Sequence, residues 1–165
     1  MLSIGVDKNP KPLLPAYSGN SNSSLSPDGH WLAYSSNDSG QLQVYVQPFP
    51  PTGAKYQIST GGGRNPLWSP NGKQLYYQPI KGAGLTRIVS VDVQTQPSFV
   101  FGKTTPLPIE GIVEIGPRAY DISPDGKYFV IMLPKAQPDT GKAPPEQINI
   151  TLNWFEELKQ RVPVK

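Results

Sequence analysis

Along most of this chain apolar and polar residues alternate in short runs, the period of a half-buried strand rather than of an amphipathic helix. The runs are HWLAYSS (30–36), QLQVYVQPF (41–49), KYQIST (55–60), KQLYYQ (73–78), TRIVSVDV (86–93) and KYFVIML (127–133). They are rich in the β-branched and aromatic residues that suit a pleated, half-buried surface. Between them stand turn signals: SPDG at 26–29, SPNG at 69–72 and SPDG again at 123–126, with NDSG and PPTG inside the first repeat. Proline presets φ, Asp or Asn bonds neighbouring amides, and glycine takes the left-handed position.

The three turns repeat with their flanks. LSPDGHWLAY, WSPNGKQLYY and ISPDGKYFVI each place an apolar residue before the turn and a strand after it, with turn serines at 26, 69 and 123, spaced 43 and 54 residues apart. An internal repeat sets the architecture before any single residue does. The first spacing suits a four-stranded β-propeller blade, and the second is the same unit with an insertion. The first repeat reads as strands 23–26, HWLAYSS, QLQVYVQPF and KYQIST. The second reads as PLWS, KQLYYQ, TRIVSVDV and an edge strand over Thr104 to Ile109, and the third as AYDIS, KYFVIML and INITLNWF after a proline-rich stretch, with no fourth strand. The N-terminal segment 1–16, with LSIGV and KPLLPA, reads as outer strands of a blade whose inner strands are missing, and 155–165 as a C-terminal tail with a short helical turn.

The expected fold is therefore all-β: one domain over 1–165, a β-propeller with three four-stranded blades per chain. Three blades are too few for a ring of the usual four to eight and leave two apolar blade faces open to water. A twofold homodimer removes both faces, so the expectation is a six-bladed ring completed by homodimerisation, each N-terminal segment finishing its partner's last blade. A fragment of a longer propeller is the competing reading.

Composition narrows the function. With 36% hydrophobic and 10% aromatic residues the chain can build a core, and 20 Pro with 16 Gly fit a fold made of many turns. The net charge of +3 is scattered, so nucleic acid is not an expected partner. The chain has no cysteine and a single histidine, His30, so no metal site and no cofactor are expected, and a Ser-His-Asp relay is disfavoured because His30 follows a rim turn. No signal peptide or membrane span is legible, and no direct membrane contact is expected.

Five residues before each turn serine lie Ser21, Arg64 and Arg118, followed by Asn22, Asn65 and Ala119. In a propeller these positions start the innermost strands at the mouth of the central channel. Ser21, Asn22, Arg64, Asn65 and Arg118 are the expected ligand-binding residues, and the arginines suit a small anionic or peptide ligand. Glu110, Glu114 and Asp121 are candidate catalytic carboxylates for an alternative reading as a hydrolase of an ester, glycoside or phosphate ester. A third reading is a purely structural half-propeller. The glycines of TGGGRNP (60–66) lack the helix and the Lys-Ser/Thr pair of a phosphate loop. Trp31, Tyr34, Trp68, Tyr76, Tyr77, Tyr128 and Phe129 are expected to pack between blades, and Trp154 to anchor the last strand.

The SPDG-centred repeat, with NDSGQLQVYVQPFP, resembles the TolB-like or PD40 family of β-propeller repeats over nearly the whole chain. More narrowly, the stretch from VYVQPFP to KQLYY, with LNWFEELKQRVP, is similar to the C-terminal half of propellers appended to bacterial Ser/Thr protein kinases, especially acidobacterial ones. That resemblance implies an extracytoplasmic sensing or interaction module and brings no catalytic residue.

Overall fold

The computed structural model describes residues 22–80, 87–112, 118–133 and 150–151. The N-terminal segment 1–16, Ser21, Glu114, Trp154 and the C-terminal tail 155–165 lie outside them. The described residues form strands and turns with no helix. In chain order the strands are β1 (Ser23–Leu25), β2 (Trp31–Ser36), β3 (Gln43–Pro48), β4 (Tyr56–Gln57), β5 (Gly63–Trp68), β6 (Gln74–Pro79), β7 (Val89–Gln94), β8 (Val100–Pro106), β9 (Tyr120–Ile122), β10 (Phe129–Ile131) and β11 (Ile150–Thr151). They make three antiparallel meanders: sheet I in the order β1-β2-β3-β4, sheet II in the order β5-β6-β7-β8, and sheet III in the order β9-β10-β11.

Side-chain alternation divides each sheet into two faces. The face of sheet I that carries Ala33, Val44 and Val46 packs on Trp68, Leu75, Tyr77, Val89 and Val91 of sheet II, and all are buried. The opposite face of sheet II sends Tyr76, with Leu67 and Ile88, against Phe129 and Tyr120 of sheet III. Tyr76 and Phe129 meet edge to face with centroids 5.0 Å apart, a favoured aromatic geometry. Leu32, Tyr34 and Tyr45 lie on the far face of sheet I and are also buried. Lys55 sits over the Tyr45 ring, 3.9 Å from its centroid, and is paired with Asp38.

The three repeated turns are superimposable in their hydrogen bonding. In the first, Trp31 N–H donates to Ser26 Oγ (2.9 Å), Ser26 Oγ–H and His30 N–H donate to Asp28 Oδ1, and Gly29 N–H donates to Ser26 O (2.9 Å). The same bonds recur through Ser69, Asn71 and Gly72 and through Ser123, Asp125 and Gly126. A Cβ at Gly72 would lie 3.7 Å from Pro27 Cδ, and one at Gly126 would lie 3.8 Å from Pro70 Cδ. The second and third turns thus each lie against the proline of the turn before. The repeat is a packing device between sheets as well as a hairpin closure.

Strand bounds differ from the sequence reading in several places, and β10, Phe129–Ile131, is shorter than KYFVIML. The outer strand of sheet II covers Val100–Pro106 instead of Thr104 to Ile109, because Phe101 and Val100 pair with Val93 and Gln94 across a register shift, while Leu107 and Ile109 turn into the core. The inner strand of sheet II starts at Gly63, three residues before PLWS, with an irregularity between Arg64 and Leu67. The outer strand of sheet I is only Tyr56–Gln57. Gly63 explains part of the difference in β5: a Cβ there would come within 2.9 Å of Ser59 Cβ and Oγ and 3.0 Å of Tyr77 Cδ2. The glycine run therefore lets the chain cross from sheet I to sheet II at close approach.

Candidate functional site

The starts of the inner strands gather most of the described candidate residues. Asn22 precedes β1, Arg64 and Asn65 lie in β5, and Arg118 precedes β9. Asn22 (φ 69°) and Asn65 (φ 57°) are the non-glycine residues at positive φ among the described residues. Asparagine tolerates this left-handed conformation better than most residues. At the equivalent place the third repeat has Ala119, which has no positive φ and is buried.

These residues are joined to one another. Asn22 Nδ2–H donates to Asn65 Oδ1 (2.7 Å), and Asn65 Nδ2–H donates to Gln78 Oε1 (2.6 Å). The Asn65 backbone N–H donates to Ser35 Oγ (3.2 Å), and the Tyr120 hydroxyl donates to Asn65 O. Arg118 donates through Nε to Tyr120 O (3.0 Å) and through Nη1 to Pro66 O (3.4 Å). The result is a polar belt that ties the inner strands of all three sheets together. Ser35, Gln78 and Tyr120 were not singled out by the sequence; the available signal was a polar residue at a core-facing register position in β2 and β6.

Charge at the belt comes from the two arginines. Arg64 is half-buried, and burial holds its pKa below the usual guanidinium value. It stands directly across from Gln78 in the β5–β6 register, and the buried Nε2 of Gln78 has no hydrogen-bond partner. Arg118 Nη2 lies 3.9 Å from Asp121 Oδ1. Glu110 is elsewhere engaged, its Oε1 3.0 Å from Arg87 Nη2. The two described carboxylates proposed for catalysis thus have separate arginine partners. His30 is exposed beside the first turn. Tyr120 is fully enclosed, and burial raises its phenol pKa. Among the described residues no three His, Cys, Asp or Glu side chains are grouped for a metal, and no helix is long and apolar enough to cross a membrane.

At the other end of the inner strands the turn carboxylates are perturbed. Ser26 and the His30 amide hold Asp28 below the usual aspartate pKa, and Ser123 and the Lys127 amide do the same for Asp125. The sign follows: a carboxylate with a depressed folded pKa adds stability above its unfolded value of 3.8, and that stability is lost as pH falls through the lower folded value. The middle turn uses Asn71, which does not titrate. An Asp28→Asn/Asp125→Asn variant is therefore expected to flatten the decline in melting temperature below about pH 4 while keeping the turns, and Asn71→Asp to steepen it. A thermal-melt series across pH checks both; an unchanged acid limb in the double variant would show that these turns do not govern acid sensitivity.

Searches against protein-family models and against curated proteins give no match. Solved structures do match. TolB from Acinetobacter baumannii is 17% identical, with a TM-score of 0.53 over 79% of this chain and 29% of that one. A protein assigned as TolB from Agrobacterium tumefaciens is 19% identical (TM-score 0.46; 69% of this chain, 39% of that one). One assigned as a 6-phosphogluconolactonase from Bacteroides uniformis is 24% identical (TM-score 0.48; 73% and 34%). The chain spans less than half the length of each. At the level of fold, and of fold alone, three consecutive meanders stacked face to face make this chain similar to the TolB β-propeller.

Proposed function

We propose that the chain is a non-catalytic propeller module whose work is association and binding. The observation that carries this reading is a comparison of equivalent positions in the repeat. Ala33 in β2 and Tyr76 in β6 are both 0% exposed, and Ser35 and Gln78, two residues on, are 1% exposed. Their counterparts in sheet III are Val130 at 47% and Met132 at 63%. Sheets I and II each use this face to receive the next sheet, and sheet III presents the same register uncovered. Exposed apolar area of this kind marks an interaction surface.

The partner in this reading is a second copy, giving a six-bladed ring of two chains. The mouth ligand is a small anion or peptide carboxylate, for which the guanidinium groups of Arg64 and Arg118 are the donors. The PD40 repeat signature, the kinase-appended context and an extracytoplasmic location belong to the same reading and rest on the sequence resemblance. Nothing at Glu110 or Asp121 favours the hydrolase alternative, since each lies beside its own arginine.

Light scattering on a size-exclusion column tests the association. The expected particle has twice the mass of the 18.0 kDa chain, and Val130→Glu/Met132→Glu is expected to reduce it to a folded monomer. A wild-type monomer at all concentrations would overturn the ring.

A further inference from the structure

Two grooves open between neighbouring turns, at the end of the inner strands away from the mouth. The first, about 650 Å³, lies between the turns at 26–29 and 69–72, and Asp92 to Gln96 form its third wall. The second, about 340 Å³, lies between the turns at 69–72 and 123–126, with Tyr76 and Ile122 in its lining. The larger is well within the size range of small-molecule sites.

Their charges differ for a reason visible in the repeat. In the second groove Lys127 Nζ lies 3.8 Å from Asp125 Oδ2 of its own turn, so its charges compensate each other. In the first groove the lysine at the same place is Lys73, but its own turn carries Asn71 where the third carries Asp125. Among the described residues Lys73 Nζ makes no ion pair or hydrogen bond. Asp28 and Asp92 line the same groove. Each uses Oδ1, Asp28 for Ser26 and His30 and Asp92 for Gln74, and neither uses Oδ2. The uncharged polar side chains of the lining are amides and hydroxyls: Ser26, Asn71, Gln94, Thr95 and Gln96.

We infer that this groove binds a small zwitterion, a short peptide with free termini, whose carboxylate meets Lys73 and whose ammonium meets Asp28 and Asp92. Charges of both signs, uncompensated by one another and placed around one void, select a ligand that carries both signs. The amides then serve its peptide groups, and its carbon atoms lie against the apolar part of the lining, which includes Pro27 and Val93. This site is separate from the mouth and does not depend on ring formation.

An NMR titration with glycylglycine at low ionic strength tests it, with N-acetylglycylglycine and glycylglycine amide as capped controls. Saturable shifts at residues 71–73 and 92–96 are expected, and each cap weakens binding by roughly tenfold, the loss of one charge-assisted contact. Lys73→Gln is expected to erase the preference for the free carboxylate, and Asp28→Asn/Asp92→Asn the preference for the free amine. Asn71 already makes the turn's bonds in the middle repeat, so Asp28→Asn retains the fold, which an unchanged neutral-pH melting temperature verifies. Shifts that never saturate, capped peptides that bind equally well, or preferences that survive the substitutions would overturn the assignment.

Discussion

Tyr76→Ala is expected to lower the unfolding free energy by about 3–5 kcal/mol, the range for deleting a large buried aromatic, which is a large share of the total for a domain of this size. Tyr76 has no exposed surface, and its ring stands edge-on to Phe129. Its hydroxyl donates to Gln74 Oε1 at 2.8 Å, and burial with the nearby Asp92 pushes its pKa up to about 12. Removing the ring empties the centre of the sheet II–III interface, because Leu67, Ile88 and Tyr120 belong to the same cluster and are fixed by their strands. Tyr76→Phe keeps the ring and loses one hydrogen bond, so it is expected to cost only about 0.5–1.5 kcal/mol. Urea unfolding of both variants gives the two numbers, and a cycle with Phe129→Ala isolates the ring pair, expected at about 0.5–1.5 kcal/mol. Amide exchange adds the location: sheet III should lose protection in Tyr76→Ala while the Ala33–Leu75 interface keeps it. A cost below that of Tyr76→Phe would mean that the sheet II–III contact does not hold as described.

The architecture was legible because the repeat is written twice over, in strand alternation and in turn chemistry. Ser26, Ser69 and Ser123 needed no partner from elsewhere in the chain to form their bonds, so local sequence sufficed. Strand alternation puts Leu75 and Tyr77 opposite to Tyr76, but it does not show which face meets a neighbouring sheet: Tyr34 lies on the far face of sheet I. The outer strands were harder. β8 is exposed along its whole length, so burial imposes no pattern on it, and Gly102 interrupts the run that would have announced Val100 and Phe101. Counting back from the turns reaches Asn22, Arg64, Asn65 and Arg118, but not the bonds that join them. That Asn65 bonds Asn22, Gln78, Ser35 and Tyr120 depends on contacts 13 to 55 residues apart in sequence, which no local reading supplies. The pairing of Glu110 with Arg87 is of the same kind.

Asn65 carries the second large effect, and its substitutions separate two causes. Its side chain makes two hydrogen bonds in a buried setting, to Asn22 and Gln78, and its backbone is held at φ 57°. Asn65→Gly keeps the left-handed conformation without steric cost but leaves Gln78 Oε1 without its donor, a loss of about 1–3 kcal/mol. Asn65→Ala loses the same bonds and costs about 1–2 kcal/mol more than glycine, because it carries a Cβ at positive φ without asparagine's tolerance of that conformation, so about 2–5 kcal/mol in all. The expected order of stability in urea is wild type, then Gly, then Ala, the reverse of the usual advantage of alanine over glycine within a strand or helix. Alanine equal to or above glycine would show that the backbone at 65 is not held left-handed. The third repeat already makes this distinction: Ala119 occupies the equivalent position without a positive φ, and there Tyr120 reaches across to the Asn65 carbonyl instead. The belt therefore holds two sheets by an asparagine pair and the third by a phenol and the Arg118 guanidinium.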